Sequence, residues 1–209
     1  ETLVILNEEG KTVSRPGAIG PQVHPGVTTI AVPYNDLSAM ESALEGGEVA
    51  CVLMEPALTN IGIVLPQSGY LEGVRQLTRK YGVILILDET HTICAGSQGA
   101  SRLWGIEADM LVIGKTIGGG IPVAAYGMSA DIAHKVENLM HGHDLDVSGI
   151  GGTLSGSALA GAAIRATLTH ALRQEDFDVA IPLATRWSEG VQNVINQYQL
   201  PWTVQQLGC

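Results

Sequence analysis

The chain has 209 residues, enough for one α/β domain with a sizeable core, and 45% are hydrophobic against 15% charged, which excludes a disordered or solvating segment. Its 21 acids against 11 bases give a formal charge of −10, the wrong sign for a surface that must meet nucleic-acid phosphates. Nor does any apolar run approach the roughly 20 residues of a bilayer-spanning helix, so neither a nucleic-acid partner nor a membrane is expected.

Cys51, Cys94 and Cys209 are odd in number and widely spaced, without a C-x-x-C pair or a zinc-ligand spacing. They read as the buried, reduced cysteines of a cytoplasmic protein. No signal peptide is visible, because the apolar run at Leu3–Leu6 is short and has no basic leader. Both ends read as cut: the chain opens in an apolar run without Met and closes on Trp202–Leu207, which alternates like the start of a strand. The expected unit is the middle of a longer protein.

Residues 1–35 are broken by Pro16, Gly17, Gly20, Pro21, Pro25, Gly26 and Pro33, which predicts short strands and loops. Asn35 or Asp36 caps a short helix from Leu37 to Glu45, stopped by Gly46-Gly47. Val49–Met54 is unbroken and apolar, as in a strand buried on both faces, and Glu55-Pro56 ends it. Leu71, Val74, Leu77 and Tyr81 recur at helical spacing, with Arg75, Arg79 and Lys80 outside and Gly82 as the C′ residue. Val83–Leu87 is a second buried strand ending in Asp88-Glu89, and Asp109–Ile113 is a third ending in Gly114-Lys115. Val123–Met128 is a fourth, near an edge because Pro122 precedes it.

Ser129 caps a helix to about Met140, and a polar, Gly-rich loop covers 141–152. A small-residue helix runs from about Ser155 to Leu172, and a longer one from about Ile181 to Tyr198 takes Pro182 in its first turn before the final strand. Strands and helices alternate and the strands are apolar throughout. This predicts an α/β fold, a mostly parallel sheet with helices on both faces.

Ligands of such sheets bind outside the carboxyl ends of the strands, where Glu55, Asp88 and Lys115 all arrive. A carboxylate that closes a buried aliphatic run is costly to desolvate unless a cation meets it. Of the four lysines, Lys11, Lys80 and Lys135 are easily solvated, whereas Lys115 follows a buried strand between Gly114 and Thr116–Gly120. An ammonium in apolar surroundings loses hydration and becomes a usable amine nucleophile for a carbonyl, and the glycines admit a flat ligand.

Other readings of the same stretches exist. Gly114-Lys115-Thr116 matches the end of a phosphate-binding P-loop, but Asp109 stands where that motif needs glycine. A lysine snorkelling from a strand end is the plainest alternative. His141, His143, Asp144 and Asp146 lack a third partner at helical or strand spacing, so they predict a solvated loop or flap and no metal. Gly149–Gly156 leads into a helix N-terminus that favours phosphate, although capping by Ser155 explains it as well.

Together, Leu85–Thr92, Ala108–Lys115 with Gly118–Pro122, and Gly152–Gly156 resemble the class III aminotransferases. These are pyridoxal-phosphate enzymes of the aspartate-aminotransferase fold (fold type I), and the closest likeness is to their glutamate-1-semialdehyde aminomutase and β-amino-acid aminotransferase branch. Order and spacing agree over about 45–172. The resemblance implies that 1–209 is the cofactor-binding large domain, lacking the family's main phosphate turn and stacking aromatic upstream and its small domain downstream. This exact chain is then expected to bind pyridoxal phosphate weakly and to turn over poorly.

The resemblance also implies roles. Lys115 would hold pyridoxal phosphate as an internal Schiff base and move the Cα proton. Asp88 would pair with the protonated pyridine nitrogen, Thr90 would lie on the ring face where the family often has valine, and His91 would approach the ring hydroxyl where many members carry glutamine. Thr153 would reach the cofactor phosphate of the neighbouring subunit, making a homodimer with a shared active site. Glu55 would lie near the substrate entrance. The implied activity moves an amino group between an amino acid or amine, such as a β- or ω-amino acid, and an oxo acid. An aminomutase or racemase on the same scaffold is the alternative, and a nucleotide-binding or scaffolding α/β domain the remote one.

Overall fold

A computed structural model describes residues 4–14, 25–140 and 155–209, which fall in two compact units, Glu1–Val49 and Ala50–Cys209. In the first, β1 (Val4–Leu6) pairs antiparallel with β2 (Thr12–Ser14), Val4 opposite Ser14 and Leu6 opposite Thr12. Asn7 turns the chain between them by accepting the Glu9 and Lys11 N–H groups on its side-chain oxygen, at 3.0 and 2.9 Å. The helix α1 (Leu37–Leu44) starts at Asp36, whose carboxylate accepts the Ala39 N–H at 2.8 Å, as its sequence predicts.

The second unit is built on a four-stranded sheet of β3 (Cys51–Met54), β4 (Ile84–Asp88), β5 (Met110–Gly114) and β6 (Ala124–Met128), in that order. The pairs β3–β4 and β4–β5 are parallel and β5–β6 is antiparallel, so the sheet is mixed, with the Pro122-led strand at its end. The helix α2 (Tyr70–Tyr81) makes the crossover from β3 to β4 and buries Tyr70, Leu71, Val74 and Thr78 along one side. It stops at Gly82, whose φ of +67° lets Val83 N–H reach back to the Thr78 carbonyl at 2.8 Å. Leu85 and Leu87 of β4 are fully buried at the centre of the core.

Asp109 ties this crossover to the sheet. Its carboxylate takes two hydrogen bonds from Arg75 of α2, at 2.7 and 2.8 Å, and a third from the Leu85 N–H at 2.8 Å. The Arg75 guanidinium holds that carboxyl below the usual carboxylate range. The residue that disqualifies the P-loop motif is therefore a structural anchor ahead of an extended strand.

Four expectations are corrected. The strand β3 is buried on one face only: Val52 is buried but Leu53 is 66% exposed, because the strand ends the sheet and nothing among the described residues covers that side. The small-residue helix is α5 (Ala158–His170), after α3 (Gly99–Leu103) and α4 (Ala130–Met140), and its cap is Ser157 rather than Ser155. The last helix, α6, spans Gln174–Gln197, so Pro182 lies inside it and not in its first turn. Its true start is set by Asp176, which accepts the Arg173 N–H and pairs with the Arg173 side chain. Finally, 202–207 form no strand, and α3 is too short to leave a periodic signal in the sequence.

Candidate functional site

The parallel strands β3, β4 and β5 place their carboxyl ends on one edge, and the three polar residues expected there are found there. Met54, just before Glu55, pairs with Leu87, and Asp88 pairs with Val112. Gly114 closes β5 and Lys115 opens a 3-10 turn, Lys115–Gly118, anchored by the fully buried Ile117. Lys115 has φ +49°, an uncommon conformation for a residue with a side chain and one that stores of order 1–3 kcal/mol. The fold holds this lysine in a strained backbone at the sheet edge.

Lys115, His91, Thr59 and Glu55 form one hydrogen-bonded chain. Lys115 Nζ is bonded to His91 Nε2. His91 Nδ1 lies 2.5 Å from Thr59 Oγ1, which lies 2.5 Å from Glu55 Oε2. Glu55 Oε2 is itself 3.9 Å from His91 Nδ1. Thr59 is fixed by a two-way bridge across its loop, Leu58 N–H to Val64 O at 3.1 Å and Val64 N–H to Leu58 O at 2.9 Å. Beside it, a cavity of about 280 Å³ is lined by residues that include Thr59, Ile63, His91 and Cys94.

Asp88 stands apart from this chain. Its Oδ1 accepts the Thr90 N–H at 2.8 Å, and among the described residues its other oxygen accepts nothing. Thr90 packs on Gly114, where a Cβ would lie 3.4 Å from the threonine methyl. The residue that follows β4, Glu89, is buried and structural: it accepts the Ala100 and Ser101 N–H groups at 2.7 and 2.8 Å.

The surroundings of Lys115 differ from expectation in two ways. The lysine is exposed, so the described residues do not supply the apolar cover expected at a strand end. The glycines after it serve packing first. A Cβ at Gly118 would fall 2.5 Å from Val123 Cγ1, and one at Gly119 would fall 2.9 Å from Thr167 Oγ1 of α5. Thr153 and the His141–Asp146 cluster lie outside the described residues. Among the described residues no group of His, Cys, Asp and Glu is arranged to hold a metal, and no helix is long and apolar enough to cross a membrane.

Thr59 is the site residue that the sequence does not reveal. It lies in an irregular loop with no motif around it, and its only local sign is that it follows Glu55-Pro56 by one turn-length. Its role depends on His91, which is 32 positions away in the chain.

Residues 22–209 match the family model described as Aminotransferase class-III. A glutamate-1-semialdehyde 2,1-aminomutase 2 of Exiguobacterium sibiricum is 38% identical over 201 residues, covering 95% of this chain and 44% of that protein. A glutamate-1-semialdehyde aminomutase from Pseudomonas aeruginosa PAO1 superposes with a TM-score of 0.91 at 40% identity, over 98% of this chain and 46% of that one. A variant of that enzyme was solved in complex with PMP. An omega-transaminase from Sphaerobacter thermophilus superposes with a TM-score of 0.79 at 28% identity, over 97% of this chain and 46% of that one. The chain thus spans less than half the length of these relatives, and it shares their fold, as its strand and helix pattern implies.

Proposed function

The chain belongs to the class III aminotransferases, and from that premise we propose that the protein is a pyridoxal-phosphate-dependent aminotransferase. It moves an amino group between an amino acid or amine, β- and ω-amino acids included, and an oxo acid. What carries this reading is the arrival of a carboxylate, Asp88, and an amine, Lys115, at the carboxyl ends of the paired strands β4 and β5.

The residues present fit the cofactor. The Asp88 oxygen left without a donor among the described residues suits a protonated ring nitrogen, which it would hold by a charge-assisted hydrogen bond. We assign Thr90, which packs on Gly114, to a ring face and Lys115, exposed at the same sheet edge, to the carbonyl carbon. Bound there, pyridoxal phosphate supplies an electron sink for the charge left when a substrate Cα loses its proton. Lys115 is the base that takes that proton and returns it. We assign His91 to the ring hydroxyl, Glu55 to the substrate side, and Thr153 to the phosphate across a homodimer interface.

We assign 1–209 to the large domain and the enzyme to the cytoplasm, where the free cysteines stay reduced, although Cys51 and Cys209 are exposed and Cys94 half-buried rather than buried as expected. The test of the main reading is borohydride reduction of the full-length protein with pyridoxal phosphate, followed by peptide mass mapping. An adduct confined to Lys115 is expected. Labelling scattered over Lys11, Lys80 and Lys135, or none, rejects it.

A second reading, an aminomutase, is favoured by the names of relatives at 38% and 40% identity. An aminomutase needs no external acceptor. Turnover that persists without any oxo acid selects this reading, and strict dependence on one selects the aminotransferase.

A further inference from the structure

The hydroxyl of Thr59 sets the direction of the whole hydrogen-bonded chain. Its oxygen lies 2.5 Å from both Glu55 Oε2 and His91 Nδ1. A hydroxyl has one hydrogen to give, and an ionised carboxylate can only accept. The Thr59 hydrogen therefore goes to Glu55, and the oxygen presents a lone pair to the imidazole. His91 Nδ1 must then be the donor, which leaves the Nε2 lone pair directed at Lys115 Nζ. Glu55, 3.9 Å from Nδ1, also stands where it counters positive charge on the ring. The bridge between Leu58 and Val64 and the fully buried Ala57 keep Thr59 in place.

We propose that Thr59, backed by Glu55, is a positioning residue that locks His91 in the Nδ1–H tautomer, so that Nε2 takes a proton from the Lys115 ammonium and releases the free amine. In that step an Nζ–H bond breaks and an Nε2–H bond forms. The positive charge passes to the imidazolium, whose Nδ1–H remains on Thr59. The reverse transfer restores the ammonium, and no further reactant is needed. The step rests on Lys115 being the amine that meets a carbonyl, and it adds how that amine is made available.

The test is long-range proton–nitrogen NMR of the protein labelled at histidine nitrogen, with His91 assigned by its loss in His91→Gln. Wild type is expected to show a protonated Nδ1 and a bare Nε2. In Thr59→Val, which keeps the shape and removes the hydroxyl, this signature is lost to a mixed or reversed tautomer, and Thr59→Ser restores it. Modification of Lys115 by trinitrobenzenesulfonate at neutral pH, read by peptide mapping, slows severalfold in Thr59→Val and Glu55→Gln but not in Thr59→Ser. A wild-type His91 protonated on Nε2 alone, or a Thr59→Val spectrum like wild type, overturns the proposal. Because the wild-type tautomer is decisive by itself, a misfolded Thr59→Val does not rescue it. A locked tautomer with no pyridoxal adduct at Lys115 would reject the cofactor reading and keep the positioning role; an adduct with an unlocked tautomer would do the reverse.

Discussion

Glu89 and Gly99 are built around each other. Glu89 is 1% exposed, and its carboxylate accepts the Ala100 and Ser101 N–H groups and the Thr92 hydroxyl. Gly99 has φ +74°, and a Cβ there would fall 2.5 Å from Glu89 Oε2. The free N–H groups of the first turn of α3 thus hold a buried negative charge in place. Since Glu89 lies between Asp88 and Thr90, this cap also fixes the backbone that presents the candidate site.

Gly99→Ala is therefore expected to cost about 2–3 kcal/mol, from a left-handed backbone that disfavours a side chain and from overlap with a buried carboxylate that has nowhere to move. Thermal denaturation should show a lowered Tm. An unchanged Tm would mean that the α3 cap is not held as described.

The pair Arg75–Asp109 makes a pH-dependent contribution. The folded-state carboxyl of Asp109 is held below its ordinary value by the Arg75 guanidinium. A depressed carboxylate stabilises the fold above its unfolded pKa, about 3.9, and that stability is lost as the pH falls through the lower folded value. Arg75→Met should cost about 1–2 kcal/mol near neutrality, a figure kept modest because the pair is partly solvated. Denaturant melts of both proteins should show this difference at pH 7 and see it shrink below about pH 4. A difference that persists undiminished in acid would assign the cost to lost packing of the arginine stem.

The elements legible in the sequence were those whose signal is local and repeated. The helix α2 carries a stripe, a basic last turn and a C′ glycine within 12 residues, and the strand-end residues stand out as charges closing apolar runs. What stayed hidden depends on distant partners. Leu53 looks like core until the sheet order leaves its face uncovered, and Thr59 looks like loop until His91 arrives beside it. The glycines after Lys115 invite a ligand reading, while Val123 and Thr167 show that Gly118 and Gly119 are needed for close packing.

Lys115→Ala separates the chemical reading from a scaffold. The side chain is exposed, so its removal should leave stability within about 0.5 kcal/mol of wild type. Amino-transfer activity of the full-length protein should fall by about 10²–10⁴-fold or more, with loss of the borohydride adduct. Unaltered activity would show that Lys115 does not carry the chemistry.

Pro182 sits in the third turn of α6, on its exposed side, where it cannot donate the hydrogen bond that Asp178 O would otherwise receive. In a helix interior this costs about 3 kcal/mol relative to alanine, offset by up to about 1 kcal/mol because proline restricts the unfolded chain. Pro182→Ala should therefore stabilise the protein by about 2 kcal/mol and raise its Tm. The two buried residues of α6, Phe177 and Ile195, lie on either side of the proline. Where the proline sets how both meet the core, its replacement would loosen one of them. A fall in Tm would then show that the proline is kept for the packing of the helix.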